Sequence, residues 1–482
     1  MSSLSDLLPT GGGQNAVDFV ASGTLGSGVT VALKADGTVE AVGVVAPSVG
    51  SPVVFESAKA NYVSATFDSV ANKVVIAYQD FANSSYGTAV VGTVSGTSIT
   101  FGTPVVFESA NAKNESITFD SAAGKVVIAY TDNGNSSYGT AIVGTVSGTS
   151  ITFGTATVFN SAVSADFSAV FESIAGKVII SYRNSGNSNS GTAIVGTVSG
   201  TSISFGTAAV FNSGNTEPTS AIFDSTNNKI VISYANVNSG EHGTAIVGTV
   251  SGSSITFGSA VVFNSSSTSQ ISSAFDSALG KAVIVYRDGG NFSYGTAIIG
   301  TVSGTSISFG AEVVFNAGAV SFTSTTFDST AGQVVISYKD DGNLNYGTLI
   351  TGTVSGTSIS FGSEIVFEAA TTNYTSAVFD SSLNKVVIAY QDEGGNLNYG
   401  TSVVFTNTSS TNTSFIGITA EAIADTATGP VNIYGGINEA QSGLTIASNY
   451  YVQTDGSIAT TVSDVKIGQA ISATTINMMD LT

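Results

Sequence analysis

Carboxylates and aromatic rings are the side chains of this chain that could do chemistry, and they recur at one fixed interval. An acid follows Phe at Asp68, Asp120, Glu172, Asp224, Asp276, Asp328 and Asp380, each 52 residues after the last. A second series, acid or amide, runs Asp80, Asp132, Asn184, Asn236, Asp288, Asp340 and Asp392. Two carboxylates roughly 5–10 Å apart suffice for glycoside hydrolysis. A catalytic pair should break the symmetry in one or two repeats, and no repeat gains a unique pair. Both series therefore read as scaffold, each oxygen accepting backbone N–H groups in an Asx-turn. Calcium would need roughly five or more converging oxygens, and Asp132, Gly134 and Asn135 supply too few. His242 is the only histidine, without the partners that a triad or a zinc site requires. No catalytic residue, metal or cofactor is expected, and the chain is not expected to be an enzyme. A carboxylate-only glycosidase stands as the last alternative.

The aromatic residues suggest binding. Tyr86, Tyr138, Tyr294, Tyr346 and Tyr399 recur at one place, where Ser190 and His242 stand in the other two repeats. Tyr62, Phe322 and Tyr374 share a second phased position. Such rings could stack on sugar faces, or pack over a turn with the polar tip left wet. These eight aromatic residues together with His242, nine in all, are the candidate ligand-binding set.

The elements that must position them follow from the repeat. Tyr78, Tyr130, Tyr182, Tyr234, Tyr286, Tyr338 and Tyr390 end an apolar run, and Phe55, Phe107, Phe159, Phe211, Phe263, Phe315 and Phe367 mark another point of the same period. Within the second repeat, strands are expected over 115–120, 125–131, 139–147 and 150–161. The run Val126-Val127-Ile128-Ala129-Tyr130 is continuous rather than alternating, which means burial on both faces. Only Gly or Asn precedes that strand (Asn72, Gly124, Gly176, Asn228, Gly280, Gly332, Asn384), as a positive φ requires. Four strands in about 50 residues match a propeller blade. The fold class is therefore all-β, a seven-bladed β-propeller over 51–405, flanked by non-repeat β segments at 1–50 and 406–482. The array begins on an unpartnered fourth strand, 51–57, and ends on a third, 400–405, so the two should latch the ring. The flanking segments are expected to share one small β domain.

Comparing the repeats shows which connections vary. The turns after the Phe-acid pair and within Val-Ser-Gly-Thr/Ser-Ser-Ile hardly change. Two others do: the connection into the first strand, carrying Tyr62, Asn114, Asp166, Pro218, Gln270, Phe322 and Tyr374, and the loop between the second and third strands, carrying Phe81, Asn133, Ser185, Val237, Gly289, Asp341 and Glu393. In a meandering blade these emerge on one face. That face is either a ligand surface on a rigid scaffold or a set of unconstrained loops that drift.

Composition narrows the partners. With 13 basic against 33 acidic residues and a net charge of −20, the chain is ill suited to nucleic acid or anionic membrane, which need clustered Lys and Arg. There is no cysteine, so packing must hold the fold. Residues 1–14 show no basic stretch followed by an apolar run, and no run of about 18 apolar residues occurs; a soluble chain without an export signal is expected.

The flanking segments also carry a likeness. Leu4-Ser5-Asp6-Leu7-Leu8-Pro9, the run at 31–39, Gly443-Leu444-Thr445, Tyr450-Tyr451-Val452 with Asp455-Gly456, and Ala470-Ile471-Ser472-Ala473-Thr474-Thr475 resemble virion structural and fibre-type proteins of tailed phages, marine cyanophages first among them. The repeat Val-Gly-Thr-Val-Ser-Gly-Thr-Ser-Ile is similar to propeller segments of such proteins. The resemblance implies a virion component on tail or capsid, whose partners are other virion proteins and a host-surface polysaccharide or receptor; a homo-oligomer, or many copies in the particle, is expected. It brings no catalytic motif. A secreted or surface lectin-like propeller is the alternative.

Overall fold

In the computed structural model the second repeat shows how the period becomes a blade. The model describes residues 15–34, 36–394, 398–411, 414–463 and 465–479; the N-terminal stretch 1–14, with its expected lack of an export signal and its Leu4–Pro9 motif, lies outside them. Val105–Asp120 is one strand of 16 residues, followed by Lys125–Asp132, Tyr138–Ser147 and Ser150–Phe153, and then by the next long strand, Thr157–Glu172. Each long strand serves two sheets. Val105 and Val106 pair with Ala89 and Thr88 of the preceding repeat, whereas Ala112 to Asp120 pair with Asp132 to Lys125 of their own. The expected connection into the first strand is therefore no loop. The fourth strand of one repeat runs directly into the first strand of the next, and the variable position falls on a bulge between Lys113 and Ser116. Among the described residues, all strands of this unit join one antiparallel sheet system of 28 strands, as a β-propeller requires.

The core lies between neighbouring repeats. Val126 to Tyr130 are fully buried: Val126, Ile128 and Tyr130 cluster with Val75, Ala77, Ala89 and Val91 of the preceding repeat, and Val127 and Ala129 with Val178, Ile180 and Tyr182 of the following one. Phe107 reaches across, 5.2 Å from the ring of Tyr130 and 5.7 Å from that of Phe153. Its ring lies flat against the chain at Gly87, where a Cβ would come within 2.4 Å of it. This close approach accounts for glycine at that place in every repeat. The turn glycine Gly124, at φ 62°, and its counterpart Asn72, at 52°, adopt the left-handed backbone expected of them.

The array is joined end to end by pairing of Val53, Val54 and Glu56 with Ser402, Thr401 and Gly400. Ser48–Val49 extends the same sheet on Thr406 and Phe405. Around the axis, first strands would expose N–H groups with no neighbouring strand to take them. Serines of the adjacent repeat take them instead: Ser64 Oγ accepts from Ile117 N at 3.3 Å, and Ser116, Ser168, Ser324 and Ser376 accept from Ala169, Ala221, Ala377 and Ala65, each at 2.9 Å. The Ser376 to Ala65 bond spans the join and repeats the geometry of the others.

The chain divides into two compact units, 48–407 and a second made of 1–47 with 408–482. In the second, a five-stranded sheet interleaves both chain ends in the order Ala16–Val20, Thr428–Ile433, Phe415–Thr419, Thr30–Leu33, Val39–Ala41. Another five-stranded sheet comes from the C-terminal segment alone. There Lys466–Ala470 and Ile476–Met478 are separate strands, reversed by a turn in which Ser472 Oγ donates to Thr475 Oγ1 at 2.8 Å. After the propeller, in the Ser-, Thr- and Asn-rich residues 407–414, Ser409–Ser410 pairs with Val44–Val45; residues 412 and 413 lie outside the described set.

Candidate functional site

One end of the propeller carries the variable positions. The bulge residue takes a left-handed backbone in six repeats: Tyr62 (φ 50°), Asn114 (55°), Asp166 (54°), Gln270 (52°), Phe322 (50°) and Tyr374 (49°). Such a φ is uncommon for any residue other than glycine, and for bulky ones it costs about 1–2 kcal/mol. Pro218 cannot adopt it, because its ring fixes φ, and the local register differs there, with Thr219 moving opposite Tyr234.

The bulge holds neighbouring repeats together through the residue that follows it. Thr219 Oγ1 donates to Asp166 O at 2.7 Å, and Thr323 and Thr375 donate likewise to the carbonyls of Gln270 and Phe322. Glu115 occupies this position in the second repeat. It is 7% exposed, neither carboxyl oxygen has a hydrogen-bond partner, and burial pushes its pKa up to about 8. Burial raises the pKa of the Tyr62 and Tyr374 phenols, and the nearby Glu115 adds to it at both.

Phe322, Tyr374 and Tyr62 stand at consecutive bulges across the join and touch. Ring centroids are 4.9 Å apart for Phe322–Tyr374 and 5.3 Å for Tyr374–Tyr62. Amides flank them: Asn61 Nδ2 donates to Gln79 Oε1 at 2.8 Å, Asn373 Nδ2 donates to Gln391 Oε1 at 3.1 Å, and Gln391 Nε2 donates to Asn61 Oδ1 at 2.9 Å. Lys339 Nζ lies 5.1 Å from the Phe322 ring centre. The remaining positions carry Asn114, Asp166, Pro218 and Gln270, none of them aromatic. Arg183 Nε lies 2.8 Å from Asp166 Oδ2 and its guanidinium also reaches Glu217.

The loop between the second and third strands lies at this same end. Phe81 N donates to Lys59 O at 3.0 Å, and Lys59 Nζ lies 5.6 Å from the Phe81 ring centre. The phased acid or amide accepts from backbone N–H, as Asp80 does from Asn83 at 3.1 Å, Asp132 from Asn135 at 3.0 Å and Asp340 from Gly342 at 3.1 Å; Asn236 departs from the expectation, its side chain making no such bond. Its oxygens shape the turn. Among the described residues no group of three or more His, Cys, Asp or Glu is placed to hold a metal ion. The Phe-acid series sits at the opposite end, where Asp120 Oδ1 accepts from Ala122 and Ala123 and Glu172 Oε1 accepts from Ile174 and Ala175.

The structure thus brings together three of the nine candidate residues. Tyr86, Tyr138, Tyr294, Tyr346 and Tyr399 are half-buried, each opposite the acid of its own loop, as Tyr86 is to Asp80; Tyr294 also lies 5.8 Å from Phe292. His242 pairs opposite Asn236 and is half-buried. Two features escaped the sequence reading. Phe292 and Leu344 project from their loops, 84% and 71% exposed, in left-handed backbone. The bulge itself left one signal: in a Val-, Ile- and Thr-rich repeat, its seven residues include no β-branched one, as a positive φ demands.

No protein-family model matches the chain, and the search of curated proteins gives no match either. Among solved structures it is similar to a lectin from Burkholderia pseudomallei, with 8% identity over 71% of this chain and 94% of that one and a TM-score of 0.51. It is also similar to the β-propeller domain of Cps50 from Myceliophteria thermophila, with 8% identity, 73% and 98% covered and a TM-score of 0.48. A leech intramolecular trans-sialidase is similar at 9% identity, 73% and 68% covered, with a TM-score of 0.41. The first of these supports the β-propeller fold, at an identity that carries nothing about the site.

Proposed function

We propose that the protein is a non-enzymatic display propeller that binds a surface glycan through its variable end. One observation carries this reading: residues that differ between repeats gather at one end, with aromatic rings held in unfavourable backbone conformations, while the other end repeats the same two turns. Backbone strain of this kind clusters at ligand clamps and switch regions. Drifting loops would not account for it, because the bulge interrupts a continuous strand that pairs on both sides of it. The acids that could have served a glycosidase accept their own turn N–H groups, which favours binding over hydrolysis. The likeness to a bacterial lectin contributes a scaffold and no residue of the site.

The setting we favour is a phage particle, on the resemblance of the flanking segments, with attachment to other virion proteins and the propeller engaging the host surface. A lectin-like propeller outside a particle is the second reading. A glycan microarray probed with the full chain tests the binding step: retention of defined glycans supports it, and a blank array overturns it. Immunogold labelling of intact particles tests the setting, since absence of label on tail and capsid would leave the lectin-like reading.

A further inference from the structure

We propose that the arc Phe322–Tyr374–Tyr62 forms a single stacking subsite per chain for an uncharged pyranose residue. This deepens the glycan-binding reading and rests on it. A ligand read identically by every repeat would need the same side chains at every bulge. Only three adjacent bulges carry aromatic rings, and those rings meet across the join at 4.9 and 5.3 Å. The bulges of the next two repeats carry Asn114 and Asp166, the latter engaged by Arg183. One arc of the axial opening is therefore aromatic, and the ligand must be held from that side.

The chemistry around the arc selects the ligand. Aromatic faces take an apolar surface, and the hydroxyls that edge a pyranose ring need donors and acceptors beside them. The amides of Asn61 and Asn373, each next to an arc tyrosine in the chain, supply these. Glu115 adds a carboxyl that is more than nine-tenths buried and has no hydrogen-bond partner, close enough to raise the pKa of both arc phenols. Such a group is costly to leave unpaired; a ligand hydroxyl would satisfy it. Glu115 itself keeps its proton at neutral pH, but Glu393 bears on Tyr374 and Lys339 beside Phe322 is paired with Asp341, so in a chain of net charge −20 the field at the arc is negative. Uronic and sialic acids, and sulfated sugars, would be repelled. The neutral hexose is the class that meets both the apolar faces and the acidic surroundings.

The test is calorimetric titration of the full chain with a neutral oligosaccharide retained on the array, and with a uronic-acid oligosaccharide of equal length. A stoichiometry of one per chain is expected, with preference for the neutral sugar and a loss of roughly tenfold or more in affinity for Tyr374→Ala. Asn114→Ala serves as the bulge control and should bind as the parent does. Circular dichroism melting checks that the variants fold; should Tyr374→Ala fail to fold, Tyr62→Leu and Phe322→Leu replace it. Binding with several sites per chain, preference for the acidic sugar, or undiminished affinity in the folded arc variants would overturn the subsite alone. Absence of binding by the parent to any glycan would overturn the broader reading and the subsite with it.

Discussion

Tyr62 rests on Tyr374 with ring centroids 5.3 Å apart, although one residue belongs to the first repeat and the other to the last. The contact lies beside the strand that joins the array end to end, where Gln391 Nε2 donates to Ala60 O at 2.7 Å. The candidate binding arc and the closure of the propeller are therefore the same neighbourhood.

A chain beginning at residue 58 should melt at a lower temperature and more broadly than the full chain. It would lack the partners of Ser402, Thr401 and Gly400 and leave strand edges open. Differential scanning calorimetry reads this directly, and an unchanged transition would mean that the pairing at the join contributes nothing.

The buried carboxyl of Glu115 should make stability fall with rising pH. Its pKa, ordinarily 4.5, is pushed up to about 8 by burial, so the folded chain keeps a proton that the unfolded chain releases near 4.5. The contribution is fully present below the unfolded value and is lost as pH rises through the folded one. Between pH 5 and pH 9, Glu115→Gln should melt with less pH dependence than the parent and should be the more stable of the two at pH 9. Parallel profiles for parent and variant would show that Glu115 does not titrate in this way.

Asp120→Ala should cost about 1–2 kcal/mol in denaturant unfolding, because the N–H groups of Ala122 and Ala123 lose their shared acceptor. Glycan binding should be unchanged, since this turn lies at the end opposite the arc. A folded variant that loses binding would place the site elsewhere.

Gly295→Val should destabilise the propeller by about 1–3 kcal/mol, since even a Cβ at this position would come within 2.5 Å of the Phe315 ring. Denaturant titration of the variant checks it, and a neutral outcome would mean that the strand shifts freely under the ring.

The repeat, its four strands and its buried second strand were legible because period and burial are written in residue type: Val126 to Tyr130 can only be a strand covered on both faces. The Asx-turn role of Asp120 and Asp132 was legible for the same reason, as was the shared end of the variable positions. The continuity of Val105–Asp120 was not, because Asn111 to Asn114 carry polar residues that look like a loop. The strand tolerates them, because pairing with Lys125–Asp132 resumes at Ser116 after the bulge at Asn114 and Glu115. Contacts such as Phe322–Tyr374, which depend on how neighbouring repeats approach one another, could not be read from spacing alone.

Hydrogen–deuterium exchange of the full chain, free and saturated with a glycan identified on the array, tests most directly which end binds. Protection is predicted around the join-side bulges, at 59–63, 320–323 and 371–375, and in the loop at 80–86. Protection confined to the opposite turns, such as 121–124 and 148–149, would contradict the account.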